Sequence, residues 1–335
     1  MREPPANLAN EALQISLRDA YALAATEIAF LPLGHDSSAW VYRVRAVDDR
    51  LFFLKVRLSV TNEPSLLVPR FLHDRGVDQI VAPLPTTTGA LWTGIPGYAL
   101  ILYPFVEGAT GMERGMSSQQ WRDYGATLRR IHDVAVTPEL AGLMRREAFV
   151  PGWAAMVRRL DAHIAARTFD NRAEHALATF WQEHRGEIST VLARAEGLGR
   201  RFAGKAPPFV LCHADIHTGN VMVGDDGQIR IVDWDEAILA PPERDLMFAV
   251  GGISSALVGP DDEAHFLEGY GPAAIDPLAL AYYRYTWAVG DIGAYGEEVF
   301  FRPDLGPITA QAAVAGFMGL FKPGEIVALA FASGE

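Results

Sequence analysis

The chain has 335 residues, half of them apolar and 21% charged, with one cysteine, Cys212, and a net charge of −12 at pH 7. This composition predicts a globular protein with an ample core, and it excludes a disordered chain, a disulfide framework and a cysteine-based zinc knuckle. The negative charge is concentrated between His213 and Phe300, where sixteen acidic residues stand against three arginines. This concentration argues against a nucleic-acid partner and favours a cation or metal ion as the partner.

The N-terminal third is predicted to be rich in strands. Helical spacing of apolar residues over 10–24 is followed by strand patterns at 28–33, 40–47 and 51–57. The turn at 47–50 predicts a hairpin between the last two. A helix toward Asp74 follows, which Pro69 should kink or shorten, and further strands are expected near 80–82 and 97–106. The first ten residues lack the features of a signal peptide and no apolar run reaches 18 residues, so we expect a cytoplasmic protein without a membrane partner.

After residue 108 the pattern becomes helical. A capping box at 117–120 predicts a helix through His132, and helical periodicity continues over 148–167, 172–198 and 277–301. Between these helices lies an island of short strands at 209–212, 221–223 and 229–232, the last two joined by an Asp-Asp-Gly turn. The sequence therefore predicts a small sheet-rich N-terminal lobe, a linker near 104–108 and a larger helical lobe.

Two motifs in the island point to phosphoryl transfer. The first, His213-Ala-Asp215-Ile-His217-Thr-Gly-Asn220, has the pattern H-x-D-x-x-x-x-N, and the second places Asp233 at the end of the strand that pairs back on it. A carboxylate that orients a hydroxyl, with carboxamide and carboxylate oxygens for Mg²⁺, is the set that this reaction needs. The cluster of His213, Asp215 and His217 also resembles a zinc site, but that interpretation leaves Asn220 without a role.

Lys55 is the third element of this chemistry. The chain has 26 arginines and three lysines, and Lys55 lies inside an apolar strand pattern. A lysine in that position suggests a need for a compact ammonium group, although an outward-pointing lysine on an edge strand would give the same pattern.

These motifs, with the segment LILYPFVEG at the linker, resemble the aminoglycoside phosphotransferase family, and within it the spectinomycin phosphotransferases. The resemblance implies an α+β, protein-kinase-like bilobal fold with a small antiparallel-sheet N-lobe at 1–103, a hinge at 104–108 and a mainly helical C-lobe at 109–335. The catalytic loop would lie at 211–236. ATP and Mg²⁺ are the implied cofactors.

The resemblance also assigns roles to individual residues. Asp215 would be the catalytic base or orienting group, and Asn220 and Asp233 would hold Mg²⁺. Lys55 would contact the α and β phosphates, with Glu63 as its ion-pair partner. The remaining nucleotide contacts would come from a phosphate-covering loop and from the hinge, namely Gly34, Ser37, Ser38, Tyr103, Pro104, Phe105 and Val106.

The implied activity is the phosphorylation of a hydroxyl on a small cationic aminocyclitol, spectinomycin, which would inactivate this antibiotic. Asp215, Trp234, Asp235, Glu236 and Asp291 are the candidate substrate-binding residues. For Asp235 and Glu236 a salt bridge with Arg244 is an equal alternative, for Asp291 a solvated helix face, and for Trp234 simple packing. No protein partner is implied. The alternatives for the whole chain are a kinase for a metabolite such as choline, homoserine or methylthioribose, and a non-catalytic nucleotide-binding protein.

Overall fold

The computed structural model describes residues 4–5, 7–32, 39–59, 62–205, 207–302 and 306–333. The predicted loop residues Gly34, Ser37 and Ser38 lie outside these ranges. Within them the chain forms two compact units. The first comprises Met1–Gln120, Asp133–Met144 and Asp215–Ala237, and the second comprises Trp121–His132, Arg145–Ala214 and Ile238–Glu335. The segment with the predicted catalytic residues thus belongs to the first unit, and the lobe boundaries at 103 and 108 stay a prediction.

The first unit is built on an antiparallel sheet of five strands in the order β1-β2-β3-β5-β4. Its helices and strands up to Pro104 are α1 (Asn10–Tyr21), β1 (Ala25–Leu31), β2 (Ala39–Ala46), β3 (Leu51–Arg57), α2 (Pro64–His73), β4 (Thr93–Ile95) and β5 (Tyr98–Pro104). The predicted hairpin of β2 and β3 is confirmed. Helix α2 continues four residues beyond Pro69, and the predicted strand at 80–82 is reduced to one bridge between Ile80 and Ile231.

Helix α1 covers one face of this sheet. Its Leu13 and Leu17 are fully buried in a core that also contains Val44 and Leu54 of the central strands. Side chains alternate between the two faces of a strand, so Lys55 projects from the face opposite to this core. The amphipathic pattern of β3 therefore fixes where Lys55 points.

The remaining elements of the first unit surround the island of short strands. They are β6 (Gly108–Thr110), α3 (Gly111–Arg114), α5 (Pro138–Leu143), a short 3-10 helix (Thr218–Asn220), β9 (Val221–Gly224) and β10 (Ile229–Ile231). Strand β9 pairs antiparallel with both β6 and β10, and the predicted hairpin between β9 and β10 is confirmed. This hairpin places the end of β10, where Asp233 follows, beside the loop that begins at Asp215. The main chain joins them again where the Val232 N–H donates to the Asn220 carbonyl at 3.0 Å.

The second unit is mainly helical. Its elements are α4 (Ser118–Asp133, which begins and ends in the first unit), β7 (Arg145–Arg146), α6 (Ala154–Ala165), α7 (Arg172–Glu183), α8 (Arg185–Ala203), β8 (Val210–Cys212), β11 (Ile238–Ala240), α9 (Glu243–Leu246), α10 (Pro260–Tyr270), α11 (Pro277–Phe301), α12 (Pro307–Gly319) and α13 (Ile326–Ala332). The predicted bounds of α11 are confirmed, whereas the long helix predicted over 172–198 divides at His184 into α7 and α8. Within the described residues, every helix is too short or too polar to cross a lipid bilayer.

Candidate active site

Lys55 lies at the centre of a charged cluster in the first unit. Its side chain is 13% exposed, and Nζ lies 3.2 Å from Asp233 Oδ1 and 2.9 Å from Asp235 Oδ2. Burial acts to lower the pKa of Lys55, but the two carboxylates outweigh it and raise the pKa. The ammonium group is therefore charged at neutral pH, and the two carboxylates hold it on the face of the sheet opposite to the core.

Asp235 connects Lys55 to a second cation. Arg57, two residues further along β3, donates from one guanidinium nitrogen to both oxygens of Asp235, each at 3.0 Å. The Asn62 side-chain amide donates to the Asp235 carbonyl at 2.7 Å, which fixes the main chain at the same point. The sequence left a substrate cation and Arg244 as alternatives for Asp235, and in the structure it pairs with Lys55 and Arg57.

Glu63 does not fill the role predicted for it. It is exposed directly before α2, and its side chain makes no capping hydrogen bond. Among the described residues the ion-pair partners of Lys55 are Asp233 and Asp235, so the predicted pair of Lys55 with Glu63 is wrong. The physical reason is that α2 begins at the end of a short connection from β3, which leaves Glu63 on the surface.

The H-x-D-x-x-x-x-N motif forms a compact loop. Asn220 Nδ2 donates to the Asp215 carbonyl at 2.7 Å and to Asp215 Oδ2 at 3.1 Å. His217 Nδ1 accepts the Gly219 N–H at 3.0 Å, so the neutral ring carries its proton on Nε2, which lies 3.5 Å from Asp215 Oδ1. Asp215 remains 27% exposed and faces two hydrogen-bond donors of its own loop.

The oxygens near this loop suit a hard divalent cation. Asn220 uses its amide nitrogen toward Asp215, which leaves Oδ1 available as a ligand. Asp233 has a side chain that is 47% exposed and a backbone φ of +61°, a left-handed conformation that aspartate tolerates better than most residues. Carboxamide and carboxylate oxygens are the ligands that Mg²⁺ prefers, so the residues present fit this ion.

The start of the loop is anchored in the second unit by Asp245, which is fully buried. Asp245 accepts the backbone N–H groups of His213 at 2.8 Å and Ala214 at 2.6 Å. His132 Nε2 lies 3.2 Å from the same carboxylate, and the other ring nitrogen lies 2.8 Å from the hydroxyl of Tyr270. Burial acts to raise the pKa of Asp245, but the hydrogen bonds and charge of His132 outweigh it and lower the pKa. The His213 main chain is thus held by a buried carboxylate at the start of the motif.

Sequence reasoning missed this anchor. Asp245 and His132 are 113 residues apart, and no spacing in the sequence connects them. With Cys212 they form the one buried group of potential metal ligands among the described residues, but the carboxylate is already hydrogen-bonded to main chain and imidazole. Cys212 is fully buried, and burial raises the pKa of its thiol well above the ordinary value, which is typical of an unreactive core cysteine.

The predicted adenine-binding residues lie where β5 ends. Tyr103 pairs with Phe53 in the sheet, so its side chain shares the face that carries Lys55. Pro104 is exposed and pairs with Phe52, and the Phe105 N–H donates to the Leu51 carbonyl at 3.3 Å. Tyr103 and Pro104 therefore belong to the sheet, while Phe105 and Val106 begin the connection to β6.

The other candidate substrate residues differ in their surroundings. Trp234 is 3% exposed, which favours the packing alternative, and Glu236 is exposed. Asp291 is partly buried in α11 of the second unit and is hydrogen-bonded to the Trp287 side chain. Burial raises the pKa of Asp291 to about 7. Among the described residues no lysine or arginine forms an ion pair with it, so the expected solvated helix face does not describe this position.

Known proteins share this architecture. Spectinomycin phosphotransferase APH(9)-Ia in complex with ADP and spectinomycin is 31% identical, with 96% of this chain and 98% of that one covered at a TM-score of 0.87. Protein StrN of Streptomyces griseus is 28% identical over 232 residues, which are 64% of this chain and 67% of StrN. Choline kinase LicA from Streptococcus pneumoniae, with 13% identity, 92% and 99% coverage and a TM-score of 0.58, shares the fold.

A sequence model described as the phosphotransferase enzyme family matches residues 29–284, which is well over half of the chain. The matched range contains Lys55, Asp215, Asn220 and Asp233. The antiparallel sheet followed by a mainly helical remainder is the protein-kinase-like fold of this family, as the sequence predicted. The chain therefore belongs to the phosphotransferase enzyme family and is a phosphotransferase that acts on an alcohol group.

Proposed function

We propose that this protein transfers the γ-phosphoryl group of ATP, with Mg²⁺, to a hydroxyl of the aminocyclitol antibiotic spectinomycin. The observation that carries the proposal is that the first unit holds two pairs of the required residues, Lys55 with Asp233 and Asn220 with Asp215. A main-chain hydrogen bond from the Val232 N–H to the Asn220 carbonyl connects the two segments. The specific substrate is supported by 31% identity over 96% of the chain with a protein crystallised with ADP and spectinomycin.

Asp215 is the residue we assign to the acceptor hydroxyl. Its Oδ2 accepts from Asn220, and we assign Oδ1, which lies 3.5 Å from His217 Nε2, to accept the hydroxyl proton as the oxygen attacks the γ-phosphorus. The same contact holds the Asp215 carboxylate in one orientation, which reduces the entropy lost when a substrate binds. No covalent phosphoenzyme is needed, because in-line transfer to the hydroxyl and departure of ADP balance the reaction.

Lys55, Asn220 and Asp233 are the residues we assign to Mg·ATP. When bound, this cofactor supplies the phosphoryl group and part of the charge neutralisation. Lys55 would hold phosphate oxygens with its ammonium group, while the Asn220 and Asp233 oxygens would hold the metal. Tyr103, Pro104, Phe105 and Val106 are proposed around the adenine, and Gly34, Ser37 and Ser38 above the phosphates.

Asp291 supports a cationic substrate. A partly buried carboxylate that has no lysine or arginine partner among the described residues is an unfavourable arrangement, which binding of a protonated amine would relieve. The acidic segment between His213 and Phe300 would also attract such a substrate at low ionic strength.

The test is an ADP-release assay with Mg·ATP and a panel of spectinomycin, several aminoglycosides, choline, homoserine and methylthioribose. We expect turnover with spectinomycin, and Asp215→Asn serves as the blank. Turnover with choline, homoserine or methylthioribose instead would assign the protein to the metabolite kinases that share its fold. ATP binding without turnover on any compound would contradict the proposal and favour a nucleotide-binding protein without catalysis.

A further inference from the structure

Lys55 and Arg57 share one carboxylate. They are two residues apart on β3, so their side chains leave the same face of the sheet, and both reach Asp235 within 3.0 Å. The Lys55 side chain is 13% exposed and the Arg57 side chain 20% exposed. Ion pairs that are withdrawn from water to this extent are screened less by salt than surface pairs are.

Hydrogen bonds hold both the main chain and the side chain of Asp235 in place. Asn62, in the connection after β3, holds the Asp235 carbonyl, and Arg57 holds both oxygens of its carboxylate. The β3 strand and the segment that follows it therefore hold Asp235 in place for Lys55. By contrast, Glu63 is exposed and forms no ion pair with a described residue.

We propose that Asp235 is the positioning residue for Lys55 and that Arg57 acts by holding Asp235. This inference rests on the proposed function, in which Lys55 binds the phosphates of the nucleotide. An ammonium group has three N–H donors, and Asp235 and Asp233 each take one, which leaves one for a phosphate oxygen. Asp235 thus replaces Glu63 as the partner that keeps Lys55 pointed toward the nucleotide.

Arg57 has a separate electrostatic effect. It pairs with the carboxylate that also pairs with Lys55, so the negative charge of Asp235 is shared between two cations. Lys55 therefore keeps net positive charge to offer a phosphate, while the geometry of its side chain stays fixed. Loss of Arg57 would remove the contact that holds both carboxylate oxygens of Asp235.

The experiment measures ADP affinity by titration calorimetry in EDTA, where the metal ligands make no contribution. We expect Asp235→Asn to weaken ADP binding about tenfold and to raise KM for ATP, with KM for spectinomycin unchanged within twofold. Asp226→Asn is the matched control, because Asp226 is an exposed carboxylate in the β9–β10 turn that pairs with Arg230. It should bind ADP like the wild type.

Two further variants separate the partners. Arg57→Gln should weaken ADP binding in the same direction, and the double variant of Arg57→Gln and Asp235→Asn should be no weaker than Asp235→Asn alone, since both act through one carboxylate. Unchanged or tighter ADP binding by both folded single variants overturns the inference. So does a tenfold loss in Glu63→Gln with none in Asp235→Asn. If the wild type itself binds no ADP, the proposed function fails instead, which keeps the two failures distinct.

Discussion

Asp245 Oδ1 accepts a hydrogen bond of 2.6 Å from the backbone N–H of Ala214, the residue directly before Asp215. Ala214 has a φ of +69°, a left-handed conformation that is unfavourable for a residue with a Cβ. A buried carboxylate therefore holds a strained main-chain position next to the proposed catalytic residue. This contact lies within the second unit and fixes the main chain directly before Asp215.

Replacing Asp245 with alanine should destabilise the protein by about 3–5 kcal/mol, because it leaves two buried N–H groups and His132 without their acceptor. Denaturant unfolding at pH 7 measures the loss. Asp226→Ala, at an exposed turn, is the control and should change stability by less than about 0.5 kcal/mol. A loss for Asp245→Ala as small as that of the control would show that the anchor contributes little.

The same variant should change the acid sensitivity of the protein. The folded-state pKa of Asp245 is lowered, so its contribution to stability is present above the unfolded value of 3.8 and is lost as the pH falls through the folded value. Wild type and Asp245→Ala should therefore converge in stability at low pH. A constant difference between pH 7 and pH 3 would contradict this assignment.

Helices α4 and α10 pack closely together because each has a glycine against the backbone of the other helix. A Cβ built at Gly125 would lie 2.1 Å from the Phe266 carbonyl oxygen, and one at Gly269 would lie 2.0 Å from that of Arg122. Gly125→Ala should therefore lower the free energy of unfolding by more than about 2 kcal/mol, since backbone must move. Gly186→Ala in α8 is the matched control, because its Cβ would meet no atom within 4 Å and helix propensity favours alanine by up to about 1 kcal/mol. Equal unfolding midpoints for the two variants would contradict the close packing.

The sequence predicted what depends on local pattern. Strand β3 and helix α11 have the predicted bounds. The alternation of apolar residues in β3 and the long apolar segment that follows a proline in α11 are local patterns, so neither prediction depends on a distant residue. The loop motif likewise predicted that Asp215 and Asn220 lie close together, because only five positions of the chain separate them. Lys55 and Asp235 are 180 residues apart, and their pairing follows from how the unit packs, which no periodicity encodes. The Glu63 prediction failed for that reason.

Asp233→Asn should remove the Mg²⁺ dependence of nucleotide binding. Asparagine keeps the size of the side chain and tolerates the φ of +61°, so the variant changes the charge on the oxygens rather than the backbone. We expect ADP affinity in EDTA to remain within threefold of wild type and the gain on adding Mg²⁺ to be lost, as measured by calorimetry. A full Mg²⁺ response in this variant would exclude Asp233 from the metal site.

Asp291→Asn should stabilise the protein as the pH rises. The folded-state pKa of Asp291 is raised from 3.8 to about 7. Between these two values the carboxyl is ionised in the unfolded chain but protonated in the folded protein, so its destabilising effect grows as the pH rises from 4 to 7 and is complete above pH 7. The variant should be more stable than wild type by up to about 4 kcal/mol at pH 8 and nearly equal at pH 4. Thermal unfolding at both values measures this, with Glu183→Gln at an exposed position as the control. The same variant should raise KM for spectinomycin, and a stability difference independent of pH would contradict the assignment.

The most direct test of the account is ³¹P NMR of a reaction with Mg·ATP and spectinomycin, with wild type and Asp215→Asn compared at equal concentration. We expect a phosphate monoester signal on spectinomycin with the wild type and a rate at least about 10²-fold lower with Asp215→Asn, which should still bind ADP. A monoester formed at the same rate by both proteins would contradict the role of Asp215. The absence of a monoester from a wild type that binds Mg·ATP would contradict spectinomycin as the substrate.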